Sequence, residues 1–186
     1  LRKENLPLAE AWILSRLNSA LKNINKALSQ YRLNEAANLV YEFFWHQLCD
    51  IYIELAKANI KGKLAQSVIY SVLEKILRVA HPFMPFITEE LWSIVNPEAG
   101  SIMLQSWPGV EESFINESIE KNMGELIIGV SVTTRNIRNE KNIKPKERKP
   151  ISIFVKDTAK KRILKANEEY LRALAKVESL EFLEKN

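Results

Sequence analysis

The chain has 186 residues, 46% of them hydrophobic and 27% charged, enough to bury the core of one medium globular domain with a small appendage. A single cysteine, Cys49, excludes any intrachain disulfide, and with only His46 and His81 beside it the chain has too few soft ligands for a zinc site. No stretch approaches the roughly 20 uncharged residues that cross a bilayer, and the first residues show no basic-then-apolar leader, so the expectation is a soluble, cytoplasmic protein without membrane contact.

In chain order, Leu14, Leu17, Leu21, Ile24 and Leu28 recur at steps of three and four and predict a first long helix, broken at Tyr31-Arg32-Leu33-Asn34. Asn34 opens a second, with Ala37, Val40, Phe44, Leu48, Ile51 and Leu55 as its apolar stripe and Lys61-Gly62-Lys63 as its end. Phe43, Phe44 and Trp45 are consecutive, and three successive helical residues cannot share one face, so Trp45 or Phe43 is a candidate surface ring able to stack on an unpaired base. His46 and Cys49 are one turn apart, as a thiolate and its base would be, but the apolar surroundings favour a buried structural pair.

A third helix is predicted from Leu64 to Ala80. Pro82 and Pro85 then remove backbone donors and crowd the preceding turn, which forces a stop near His81 and pre-sets Pro85 for the first turn of a fourth helix carrying Phe86, Ile87, Leu91, Trp92 and Val95. Glu89 and Glu90 fall early in it, toward the positive end of the helix dipole. Residues 101–116 read as a packed connector with an apolar Ile102-Met103-Leu104 patch. A fifth helix uses Ile119, Met123, Leu126, Val130 and Ile137 and ends by Lys144-Pro145. After Pro150 the period changes: Ile151, Ile153 and Val155 alternate as a strand, a helix follows over 158–176, and 177–183 reads as a second strand, a βαβ-like unit long enough for a parallel pair. The fold class is mainly α, an antiparallel helical bundle over 1–145 with a small α/β appendage over 146–186.

Net charge is +4, and it is unevenly placed. Between Arg135 and Lys149 seven basic residues face two acidic ones, a local +5 that leaves −1 for the remainder. That is an electrostatic footprint suited to phosphates, with Arg135, Arg138, Lys141, Lys144, Lys146 and Arg148 as candidate contacts. No phosphate-cradling glycine loop is present.

Nearly the whole chain resembles the anticodon-binding domain of the valyl-tRNA synthetase family, among the class I aminoacyl-tRNA synthetases. The segments are WILSRLN at Trp12–Asn18, FFWHQLCDIYIELAK at Phe43–Lys57, HPFMPFITEELW at His81–Trp92, SIMLQSWP at Ser101–Pro108 and TRNIRNEKNIKP at Thr134–Pro145. Ala11 and Ile51 depart from the arginine and tryptophan usual there. The resemblance implies a tRNA(Val)-binding domain whose parent ligates valine to its tRNA with ATP and magnesium, in catalytic and editing domains of the same polypeptide that this sequence does not contain. By itself the chain is then expected to bind no cofactor and no metal and to be catalytically silent. The equivalent domain of the isoleucine enzyme and a helical protein-interaction scaffold are the alternatives.

Overall fold

The computed structural model describes residues 6–57, 60–144 and 146–183. The chain forms two compact units, residues 1–116 and 117–186. The change of sequence pattern near residue 145 falls inside the second.

In the first unit, α1 (Leu8–Ser29) is central: Ile13, Leu17, Leu21 and Ile24 have no exposed surface, and Trp12 and Leu14 are also buried. It is buried beyond its one predicted stripe because several elements pack on it: α2 (Leu33–Tyr41), the π-helical segment Glu42–Tyr52 that continues α2, and, after α3 (Ile53–Ala56), the helix α4 (Lys63–Ala80). Val40, Leu48 and Leu55 are buried as expected, but the buried aromatics are Phe43 and Tyr52, while Phe44 and Ile51 are only half-buried. The cause is the wider i→i+5 winding, which brings residues five apart, Phe43 and Leu48, to one face. Residues 58 and 59, in the expected last turn, lie outside the described residues.

Helix α4 stops at Ala80 and Pro85 is the first residue of α5 (Pro85–Val95), the break that the two prolines require. Thr88 locks the corner: its hydroxyl donates to the Met84 carbonyl at 2.8 Å and lies 2.7 Å from His81 Nδ1, a set satisfied when Nδ1 carries the imidazole proton. Glu89 serves a different purpose from the one its position suggests. It lies beyond the first turn of α5, and its carboxylate accepts from Ser101 Oγ at 2.9 Å and from the Ile102 amide at 3.3 Å, fastening the connector. Trp92 packs with Leu77 and Ile102, and its indole N–H donates to the Gly100 carbonyl at 3.0 Å. Phe86 and Ile87 point outward, Phe86 being 90% exposed, and of the Ile102-Met103-Leu104 patch only Ile102 is buried.

The rest of the connector is held by polar side chains of α1. Trp107 Nε1 donates to Asn25 Oδ1 at 2.8 Å, the Glu111 amide to Asn18 Oδ1 at 2.7 Å, and the Asn116 amide to Ser15 Oγ at 2.8 Å. Partners descend along α1 as the connector ascends in sequence, so it is a strap laid antiparallel to that helix.

In the second unit the predicted fifth helix is three consecutive segments, α6 (Glu117–Lys121), the π-helical Asn122–Ile128 and α7 (Gly129–Glu140). The buried line passes through Met123, Ile127, Ser131, Thr134 and Arg138, and Ile137 is left 51% exposed. Ser131 and Thr134 tolerate burial because their hydroxyls donate to the carbonyls of Ile127 and Val130 at 2.7 and 2.8 Å. Asn142, at φ 55, turns the chain away just after α7; Pro145, expected to stop this helix, lies outside the described residues. Strand β1 (Ile151–Phe154) pairs in parallel with β2 (Leu180–Leu183), Ile151 opposite Leu180. The helix between them is broken at Asn167 into α8 (Thr158–Ala166), capped by Asp157, and α9 (Glu168–Ala175).

Candidate nucleic-acid interface

The basic segment is a loop wound on a buried arginine. Arg138 is only 6% exposed, and its Nη2 donates to the carbonyls of Lys144 and Glu147 at 3.2 and 2.7 Å. The Ile143 amide closes back on the Arg138 carbonyl at 2.9 Å, and the Glu147 amide on that of Lys144 at 2.9 Å. Arg138 is therefore not the surface cation that its spacing from Arg135 and Lys141 suggests. A guanidinium with several donors in one plane suits the capture of two carbonyls. Arg135 is half-buried and its Nε donates to the Leu174 carbonyl at 2.6 Å. Lys141, Lys144, Lys146 and Arg148 are exposed, as is Lys149, whose Nζ makes a long 3.9 Å pair to Glu147. Four of the six candidate cations thus face solvent on a loop shaped by the fifth.

Beside this loop a groove of about 730 Å³ runs between α7 and β1. Val130, Ile137, Ile143, Ile151, Ile153 and Phe154 give it an apolar lining; Thr133, Arg138 and Lys149 are among its polar members, and Glu125 is its acid. One side of the groove is the edge of β1 that has no partner strand among the described residues. The Ile151 amide donates to Ser179 at 3.1 Å, on the β2 side, so by the alternation of a ladder Ser152 and Phe154 turn their backbone groups to the open edge. Sequence reasoning missed this site, although Phe154 carried a signal: it is the large apolar residue out of phase with Ile151, Ile153 and Val155.

In the first unit, Trp45 is 50% exposed, whereas Phe43 is fully buried, which decides between the two candidate rings. Tyr41 is exposed nearby in sequence and meets His46 edge-on, ring centroids 5.6 Å apart.

Residues 10–153 match the family described as the anticodon-binding domain of tRNA ligase. The chain belongs to that family. It is also similar, over its whole length and at 42% identity, to a valine-tRNA ligase of Fervidobacterium nodosum. Valine-tRNA ligases of Carboxydothermus hydrogenoformans and Thermotoga maritima are 38% and 37% identical over 96% and 97% of the chain. The chain spans about a fifth of the length of these curated relatives, 20 to 21%.

Within this anticodon-binding-domain chain the one thiol is poorly placed for chemistry. His46 is exposed and its Nδ1 lies 3.1 Å from Asp50 Oδ2, so the buried His46–Cys49 pair does not form. Burial, and secondly the Asp50 carboxylate, push the Cys49 thiol above its ordinary value of 9.0. Iodoacetamide is expected to alkylate Cys49 in the folded chain more slowly than in the urea-unfolded chain at pH 8, because the thiolate is the nucleophile; equal rates would refute this environment. The folded state also holds this proton more tightly than the unfolded state, so the thiol's contribution to stability is complete at neutral pH and is lost as pH rises past 9.0. Among the described residues no group of three His, Cys, Asp or Glu side chains is placed to hold a metal ion, and no helix is long and apolar enough to cross a membrane.

Proposed function

We propose that this chain is the part of a valine-tRNA ligase that contacts the anticodon arm of valine tRNA, while valine activation and transfer take place in polypeptide outside it. The observation that carries this reading is the loop of exposed cations, Lys141, Lys144, Lys146 and Arg148, wound on Arg138 within a family of anticodon-binding domains. Phosphates of a folded RNA are matched by such a preformed cationic loop, and aromatic rings such as Trp45 suit the unpaired bases of an anticodon loop. Binding energy realised there accelerates a reaction at the far end of the tRNA by fixing its orientation. ATP and magnesium are assigned to catalytic polypeptide beyond this chain, with the editing domain likewise elsewhere, so the chain alone binds RNA without acylating it. The setting is the cytoplasm, where translation proceeds.

Binding of the chain to valine tRNA and to an anticodon-altered version, at two salt concentrations, tests the reading. Preference for the valine anticodon that survives added salt is the expected result. Binding indifferent to the anticodon and abolished by moderate salt would withdraw it in favour of a protein-interaction scaffold, and preference for an isoleucine anticodon would move the chain to the isoleucine enzyme.

A further inference from the structure

We propose that the groove between α7 and β1 is a slot for one unpaired nucleotide of RNA, its base held between Ile137 and Phe154 and its phosphate by the cations of the adjoining loop. This rests on the RNA-binding reading above and adds a site to it. The groove's volume of about 730 Å³ falls in the range of roughly 300–1,000 Å³ typical of small-ligand sites. Its two walls leave large apolar side chains in contact with solvent, Ile137 from α7 at 51% and Phe154 from β1 at 46% exposure. An aromatic face stacks on any base, and an aliphatic side chain opposite it completes an apolar clamp.

Polar groups suited to a base edge line the same space. The open edge of β1 presents the N–H and C=O of Ser152 and Phe154, a donor and acceptor row of the kind that pairs with a strand or with the edge of a base. Arg138, which lines the groove, is 94% buried; Nη2 holds the loop, and Nη1 is a buried donor with no hydrogen-bond partner among the described residues. Lys149 belongs to both groove and loop, and it continues the line of exposed cations that includes Lys144, Lys146 and Arg148. The local charge of +5 favours a polyanion over a peptide strand as the occupant.

The test uses the 186-residue chain with a short mixed-sequence single-stranded RNA and the same backbone lacking its bases, followed by fluorescence anisotropy at two salt concentrations. Phe154→Ala and Ile137→Ser are expected each to weaken binding of the base-bearing RNA by about tenfold, leaving its salt dependence unchanged and the abasic strand unaffected. Ile137 lies on the exposed side of α7, so its variant carries the test if Phe154→Ala melts early by circular dichroism. Full affinity in both variants would overturn the slot while leaving the RNA-binding reading intact. No binding of either strand and none of valine tRNA would overturn both. Protection of the Phe154 amide from hydrogen exchange only on adding an extended apolar peptide, with RNA giving none, would assign the groove to a protein strand and overturn the proposal.

Discussion

Alanine in place of Phe43 is expected to lower the unfolding free energy of the first unit by about 3–5 kcal/mol, the usual cost of removing a fully buried phenylalanine. Phe43 has no exposed surface and sits in the π-helical segment, where the five-residue step to Leu48 keeps both on the inner face. The cavity left behind is hard to close, because α1 packs on that segment and α1 is itself anchored by fully buried residues such as Ile13, Leu17 and Leu21. Trp45→Ala removes a larger ring two residues away, yet Trp45 is half exposed, so that variant is expected to lose much less. Urea denaturation of the two variants decides the matter. Equal destabilisation, or a larger loss at Trp45, would mean that the segment winds as an ordinary α-helix in solution.

Replacing Lys141, Lys144, Lys146 and Arg148 together by glutamine is expected to weaken RNA binding by an order of magnitude or more at low salt and to flatten its salt dependence. Each lost phosphate contact lowers the slope of log affinity against log salt by about 0.7–0.9, so a change near three would mean that all four side chains touch the backbone. Because the four are exposed and none is the clamp that holds the loop, the thermal transition is expected to stay where it was. An unchanged slope measured by filter binding across a salt series would remove the loop from the interface.

Much of this architecture is legible in the sequence where local rules act alone. The stripe from Leu14 to Ile24, the Pro82 and Pro85 break, and the alternation that makes Ile151 and Ile153 a strand each depend on neighbours within a few residues, and the parallel pairing follows from the length of the crossover. The features that the local pattern misplaces depend on departures from ideal period or on distant partners. A 3.6-residue period puts Phe44 inside, where Phe43 lies instead because the segment winds more widely than that period. The same period puts Ile137 inside, whereas after the π-helical turn at Asn122–Ile128 it is in fact exposed. Glu89 reads as a dipole partner until Ser101 and the Ile102 amide are seen to meet it. As for the candidate interface, the cluster of cations is visible in composition, but the inward turn of Arg138 is not, since it depends on two carbonyls of a loop without periodicity. The groove beside it needs α7 and β1 in place before it exists.

The strap that runs along α1 bears on how the first unit reaches its fold. Its three anchors join residues 82, 93 and 101 positions apart in sequence. Closing a loop of that size restricts the chain, but the penalty grows only with the logarithm of length and is incurred at the first anchor made. Once any one of the three is made, the other two close only short additional loops, and each adds a hydrogen bond. Whichever anchor forms first bears nearly the same closure penalty, so the segments between the strap and α1 are enclosed in a single long-range closure that makes or breaks as a whole.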